Sequence, residues 1–374
     1  MSLSKFLWKA HYVPLALIGT YALLLAALTF PSIQREFIFL NAIKVPFFTK
    51  YSNPERYGLA PFKTRNFNLT TPDGETIGVW HVLPRSYYRN LVPFPPESLL
   101  PEEIFVQALQ HRPTIIYLHG NVSFGLSFSP MASLIAQAGT RAASHRVRGY
   151  NAFSSQLDCN VLAVDYRGFG DSTGEPSEDG LVIDARTVWD HVLAGVGHKR
   201  ADEEIILVGQ SLGTGVVAAL AGRLADLGQF PRALVMIAPF TSLPDLLATY
   251  QLFFLIPVLS PLQKIPGALT FFTSFLKSRF NSTQALLKTS SPTLFVHALN
   301  DPTIPPSHSA TLFSSLRTGD TQVDVTKHAG WGSISSYGRK DKGEVIWWEG
   351  DTGGHNGLGW SEGVIDLIAR VGAL

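Results

Sequence analysis

Cysteine is almost absent. Cys159 stands alone among 374 residues, which excludes an internal disulfide framework and a cysteine-built zinc cluster. In its apolar stretch that thiol reads as part of the core. Charge is scarce as well. Charged residues make up 16% of the chain, and 30 Lys and Arg stand against 29 Asp and Glu. So even a balance offers no electrostatic footprint for nucleic acid. Repeats and low-complexity tracts are also missing. What the chain has is apolar residues, 45% of the total. That suits a large buried core and leaves apolar sequence for a membrane or a greasy pocket. The length fits one catalytic domain plus an anchor.

Residues 13–30 form an uncharged, largely apolar run, with Pro14 in the first turn where proline is tolerated. The run is just long enough to be a transmembrane helix, since about 20 residues span a bilayer. A cleaved signal peptide is the rival, but Leu28-Thr29-Phe30-Pro31 is a poor cleavage site. Residues 1–32 are therefore expected to be a retained anchor, 33–65 a juxtamembrane segment and 66–374 the catalytic domain. Lys5 and Lys9 precede the run, while Glu36 offsets Arg35 after it. This bias places the N-terminus in the cytoplasm and the catalytic domain on the lumenal side. Asn68-Leu69-Thr70 and Asn281-Ser282-Thr283 are glycosylation acceptor patterns that fit a lumenal domain.

Beyond residue 65 the chain alternates short β-branched runs with longer helical segments, as a mostly parallel sheet with crossover helices requires. Strands are expected near 76–82, 114–118, 160–164, 205–208, 233–237, 293–297 and 345–348. Ile115-Ile116-Tyr117-Leu118 and Ile205-Ile206-Leu207-Val208 are continuously apolar, which marks strands covered on both faces. Ligands bind beyond the carboxyl ends of such strands.

Gly209-Gln210-Ser211-Leu212-Gly213 fits G-x-S-x-G, directly after one strand and directly before a helix-like run. That strand–turn–helix context is the nucleophile elbow of the α/β-hydrolase fold. A turn so tight strains Ser211, and side chains in place of Gly209 and Gly213 would collide with neighbouring elements. The hydroxyl is then exposed at a helix N-terminus, and the Leu212 N–H faces a developing oxyanion. The second oxyanion donor is expected after strand 114–118, and is assigned to the Asn121 N–H of His119-Gly120-Asn121. Gly120 permits close backbone approach. His119 lies upstream of the nucleophile and reads as a structural hydrogen-bonding residue.

An acid and a base must follow Ser211 in that order. Strand 293–297 runs into Ala298-Leu299-Asn300-Asp301-Pro302, and Asp301 is the choice for the acid. For the base, His308 is too close to Asp301 and begins the next helix. His328 falls in a loop before the last strand. His355, reached through Gly350 to Gly354, is chosen, with Asp301 fixing its tautomer. Asp351 reads as a solvated loop acid. Residues 243–276 lie where this fold often carries a lid. Leu252-Phe253-Phe254-Leu255-Ile256 and Phe271-Phe272 suit either a long acyl chain or ordinary helix burial.

Five pieces together resemble the membrane-anchored α/β-hydrolase domain-containing protein 12 group. They are Thr76-Ile77-Gly78-Val79-Trp80-His81, His119-Gly120-Asn121, Asp165-Tyr166-Arg167-Gly168-Phe169-Gly170-Asp171-Ser172, Gly209-Gln210-Ser211-Leu212-Gly213-Thr214-Gly215 and His297-Ala298-Leu299-Asn300-Asp301-Pro302. The resemblance implies lipase action on monoacylglycerols and lysophospholipids, including lysophosphatidylserine. It implies Ser211, Asp301 and His355 as triad, no cofactor and no metal, and a lumenal, ester-hydrolysing domain on the endoplasmic reticulum membrane. Its partners are then a lipid ester and the bilayer.

Three departures stand out. Gln210 occupies a position where histidine is common, which is expected to alter the pocket slightly. Residues 327–344 are more numerous than expected. Similar proteins run His-Gly-Asn-Ala-Gly-Thr-Arg, whereas here residues 122–137 split His119-Gly120-Asn121 from Ala138-Gly139-Thr140-Arg141. The split begins with Val, whose codons all begin GT, and ends with Gln, one of whose codons is CAG, the form of a translated, unspliced intron. The Asn121-Val122-Ser123 acceptor pattern would then be spurious. Two other functions stay open from residues alone: a serine peptidase of the same fold, and a membrane-tethered interaction protein without catalysis.

Overall fold

A computed structural model describes residues 12–42, 48–121, 139–197, 201–252 and 256–374. Lys5, Lys9, the 122–137 segment and residues 253–255 lie outside the described residues. Ten strands form one mixed sheet: β1 (Thr64–Thr70), β2 (Thr76–Val82), β3 (Thr114–Leu118), β4 (Asn160–Asp165), β5 (Ile205–Gln210), β6 (Ala233–Ile237), β7 (Thr293–Ala298), β8 (Asp324–His328), β9 (Gly332–Arg339) and β10 (Lys342–Gly350). Their spatial order is β1-β2-β4-β3-β5-β6-β7-β10-β9-β8. Neighbours from β4 through β10 pair in parallel, and the two pairings at either edge are antiparallel.

Alternate side chains of each central strand enter different cores, which is why β3 and β5 read as unbroken apolar runs. Ile116, Leu118 and Leu207 join Trp189, Val216 and Phe280 on one face. Ile115, Tyr117, Ile206 and Val208 join Tyr150, Phe153 and Ile368 on the other. The Asp165-to-Ser172 piece is built around ion pairs, most of whose members are buried. Asp165 receives the Arg141 guanidinium at 2.6 Å, and Arg167 bridges Asp73 and Asp184 at 2.7 and 2.8 Å.

All seven expected strands are present, and β1, β8 and β9 were not expected. The extra length around 327–344 is a hairpin: β9 pairs β10 from Gly332↔Gly350 to Arg339↔Lys342. His328 therefore ends a strand rather than lying in a loop. Every residue of β8 is exposed. Such an edge strand is held by its ladder bonds and carries no apolar alternation to reveal it.

The N-terminal apolar run is also corrected. It is not one helix over 13–30. Helix α1 covers Tyr12–Ala27, helix α2 covers Pro31–Phe39, and the chain bends by 97° between them. Phe30 is extended (φ −81°, ψ 127°) with Pro31 at the first helical position. A residue before proline is pushed out of the helical region, and proline favours starting a new helix. No single described helix is long and apolar enough to cross a membrane; only the bent pair taken together reaches the length and apolar composition of a span.

His81 yields a stability prediction. Its ring lies in the core, with Nε2–H donating to Asn160 Oδ1 at 2.9 Å and Nδ1 without a partner. Burial pushes its pKa down to about 3, because a second ring proton would be an unpaired buried charge. The unfolded chain takes up that proton near pH 6.5 and the folded chain does not. Stability is therefore complete above about pH 6.5 and falls as pH drops toward 3, by a few kcal/mol. Urea unfolding at successive pH values should show that loss, and His81→Gln should flatten it. An unchanged slope in the variant would refute this assignment.

Candidate active site

The loops after β3, β5, β7 and β10 meet at the carboxyl edge of the sheet. β5 ends at Gln210, and Ser211 turns sharply into helix α3 (Leu212–Ala225) with φ 53° and ψ −122°. An L-residue is held at such angles only when its surroundings over-determine them. A Cβ on Gly213 would lie 1.9 Å from the Leu118 carbonyl oxygen, and one on Gly209 would lie 2.5 Å from that of Gly213. Gly120 is equally confined, since a Cβ there would sit 2.7 Å from Ser211 Cβ. The loop after β3 thus lies directly against the serine.

Asp301 and His355 are paired, with His355 Nδ1–H donating to Asp301 Oδ2 at 2.8 Å. That bond leaves Nε2 as the ring's lone-pair nitrogen. The backbone N–H groups of Thr303 and Ile304 donate to Asp301 Oδ1 at 2.8 and 3.0 Å. Burial opposes the charge on Asp301. The facing His355 and His297, with their hydrogen bonds, outweigh it and hold the carboxyl well below the usual carboxylate range. His297 is a partner that sequence reasoning missed. Its Nε2 lies 3.3 Å from Asp301 Oδ2 and 2.9 Å from the Ile304 carbonyl oxygen. Its Nδ1 lies 2.7 Å from the Ser309 hydroxyl. A histidine inside an apolar strand gives no sequence sign of where it points.

The other histidines are elsewhere. His119 is buried, with Nδ1–H donating to the Gly120 carbonyl at 2.9 Å and Nε2 3.2 Å from Asp165 Oδ1. Desolvation lowers its pKa. His308 opens the helix Ser307–Ser315 and bonds Thr241 Oγ1 at 3.0 Å. His328 lies on the exposed edge strand.

Gly353 and Gly354 adopt positive φ in the His355 loop, at 134° and 57°. The loop is nevertheless tied down. Gly354 N–H donates to Asn300 Oδ1 at 2.8 Å. Gln210 donates to Asn356 Oδ1 at 3.0 Å and accepts from Tyr117 OH at 2.6 Å. Gln210 was expected to alter the pocket, but it is buried beneath this loop and does not line the wall. Gln210→Leu should cut kcat roughly ten-fold by loosening the loop while leaving KM nearly unchanged. Steady-state kinetics on an ester would show the split, and a change confined to KM would refute it.

One pocket of about 130 Å³ is lined jointly by Ser211, Leu212, Asn121 and His355, with Asp301 behind His355. Its remaining walls are mostly apolar. Helix α4 (Leu243–Thr249), the first part of the expected lid, contributes Leu243, Leu246 and Leu247. The opposite contribution was not foreseen: Phe37, Ile38 and Leu40 come from α2 and the residue after it. A nine-residue helix opened by proline shows too little periodicity to disclose its inward face.

Residues 115–370 match the model of the α/β hydrolase family. The lysophosphatidylserine lipase ABHD12 of Danio rerio is 33% identical over 304 residues, covering 80% of this chain and 70% of the relative. The chain belongs to the α/β-hydrolase family. The protein ABHD12B of Homo sapiens is 32% identical over 286 residues, 75% of this chain and 68% of the relative. Among solved structures, the Pyrococcus furiosus esterase Pf2001 superposes with a TM-score of 0.53 at 14% identity, covering 88% of this chain and 96% of that one. At that identity the likeness speaks for the α/β-hydrolase fold alone. The family match begins in β3 and ends in the C-terminal helix, so it spans Asn121, Ser211, Asp301 and His355 alike.

Proposed function

We propose that this α/β-hydrolase is a membrane-anchored serine hydrolase that cleaves the carboxylic esters of monoacylglycerols or lysophospholipids. The observation that carries the reading is the Asp301–His355 pair facing the same apolar pocket as the strained Ser211 turn.

In this mechanism the Ser211 hydroxyl attacks the ester carbonyl while His355 Nε2 accepts its proton. Asp301 holds the other ring nitrogen protonated and stabilises the imidazolium. The N–H groups of Leu212 and Asn121 receive the oxyanion. Collapse breaks the C–O bond, and His355 returns the proton to the departing alcohol. Water then enters by the reverse sequence, freeing the fatty acid and Ser211. Apolar walls favour a fatty acyl group, and the ABHD12 relatives named as lysophosphatidylserine lipases support a lysophospholipid substrate.

The anchor in this reading is α1 and the bend after it. Residues 12–20 of α1 are exposed and largely apolar, which suits a helix set in lipid, while Tyr21, Leu24 and Leu25 near its end pack partly against the core. Lys5 and Lys9 before α1, against Arg35 offset by Glu36 after it, support a lumenal catalytic domain, and the endoplasmic reticulum is the membrane proposed. The full chain in detergent, offered lysophospholipid, monoacylglycerol and dipeptide substrates, tests the function. Release of fatty acid from the lipids is expected. Preference for the dipeptide would refute the lipase reading in favour of a peptidase.

A further inference from the structure

We infer that the juxtamembrane helix α2 forms the acyl-length gauge of the reaction pocket, with Phe37 and Ile38 as its stop and Leu247 of α4 facing them. The inference rests on Ser211 being the nucleophile of that pocket.

Three observations converge. First, Phe37, Ile38 and Leu247 line the reaction pocket and also line a second void, of about 10 Å³, on their far side. The three side chains are therefore a partition with space on both faces. Second, that void is walled by Leu28, at the foot of α1, and by Val258, Phe272 and Leu276 of the 243–276 region. It is apolar and room for only about one water. Gln34 is its one polar lining residue, and that amide is already engaged by backbone groups, so the partition is what would stop an alkyl chain. Third, α2 is held firmly enough to serve as a wall. Gln34 is buried and pinned at both ends of its amide, donating to the Phe275 carbonyl at 2.9 Å and accepting from Lys277 N–H at 3.1 Å. Asn121, beside Ser211, donates its side-chain amide to the Ile38 carbonyl. Phe39 packs edge-on against Phe280, with ring centroids 6.4 Å apart.

The consequence is a division of the pocket. The ester carbon sits at Ser211, and the alkyl tail runs along the apolar side toward Phe37. A tail that ends at the partition buries all its methylenes, each worth about four-fold in binding. A longer tail must displace the partition or stay partly in water. Chain length is then read by a segment outside the catalytic sheet, next to the membrane anchor.

The test uses the full chain in detergent micelles with saturated monoacylglycerols of about ten to about twenty carbons, comparing kcat/KM along the series. Phe37→Ala joins the pocket to the void, and the optimum should move to longer chains, with the long-to-short ratio rising about ten-fold. Phe37→Trp and Leu247→Phe should move it the other way. Labelling by a fluorophosphonate probe reports that each variant has a folded site. If one variant fails to label, the other two decide. Length profiles identical to wild type in labelled variants would overturn the gauge. Undiminished hydrolysis by Ser211→Ala would instead overturn the assignment of the nucleophile.

Discussion

Ser211→Ala should lower kcat by about a million-fold and abolish fluorophosphonate labelling, with the folded protein unchanged. The size follows from interdependence. In the proposed triad, His355 has a proton to accept only if the hydroxyl is there, and the oxyanion donors act only once the serine oxygen has attacked. Loss of one member of such a unit costs nearly as much as loss of all. Asp301→Asn should cost about ten-thousand-fold by a different route. Asp301 accepts His355 Nδ1–H at 2.8 Å, and its other oxygen is already occupied by two backbone N–H groups. An amide there turns a donor toward the ring and favours the tautomer that cannot take the Ser211 proton. His355 would be present, in place, and unable to act. Single-turnover assays on a chromogenic ester separate the two variants from simple misfolding, which would also lower the thermal midpoint. Ser211→Ala retaining even a tenth of wild-type turnover would end the triad reading.

Deletion of residues 122–137 should leave the protein folded and raise kcat/KM on a lipid ester, by up to about a hundred-fold. The two flanks are already held together without the segment. Arg146 donates to the Thr140 carbonyl at 2.6 Å and to the Gly120 carbonyl at 2.8 Å. Asp165 accepts the Arg141 N–H at 2.6 Å and lies 3.2 Å from His119 Nε2. The carbonyls of residues 120 and 140 are thus separated by one guanidinium and two hydrogen bonds. After the deletion four peptide links remain between them, and those reach roughly 13 Å. The join can close without moving Arg146 or Asp165. A gain is expected because the segment starts immediately after Asn121, the residue given the second oxyanion N–H, and one such donor is worth about a hundred- to a thousand-fold. Transcript reads that pass directly from the Asn121 codon to the Ala138 codon would agree with a retained intron. Loss of folding or of labelling in the deletion variant would show that the segment is integral.

Much of the site could be read from residues because its chemistry is local. A strained serine turn needs glycines within two residues on either side, and a strand before it must be apolar throughout to lie between two cores. Those constraints are written in consecutive positions around Ser211, as they are at Ile115 to Leu118. Chain order together with strand ends narrowed the acid to Asp301 and the base to three histidines, His308, His328 and His355. The three strands that escaped notice lie toward the sheet's edges, where one face or both meet water and no apolar alternation is demanded.

By itself, then, the amino-acid order determined the elements whose side chains answer to their immediate neighbours: the buried strands, the elbow, and the short roster of acids and bases. Tertiary structure alone decided what depends on residues distant in the chain. It chose which histidine meets Asp301 and set His297 behind it, placed Gln210 under the His355 loop, and folded the helix from Pro31 to Phe39 back onto the pocket. These contacts join residues separated by scores or hundreds of positions. Local propensity is silent on them, because their free energy exists only when the sheet has brought both partners to one edge.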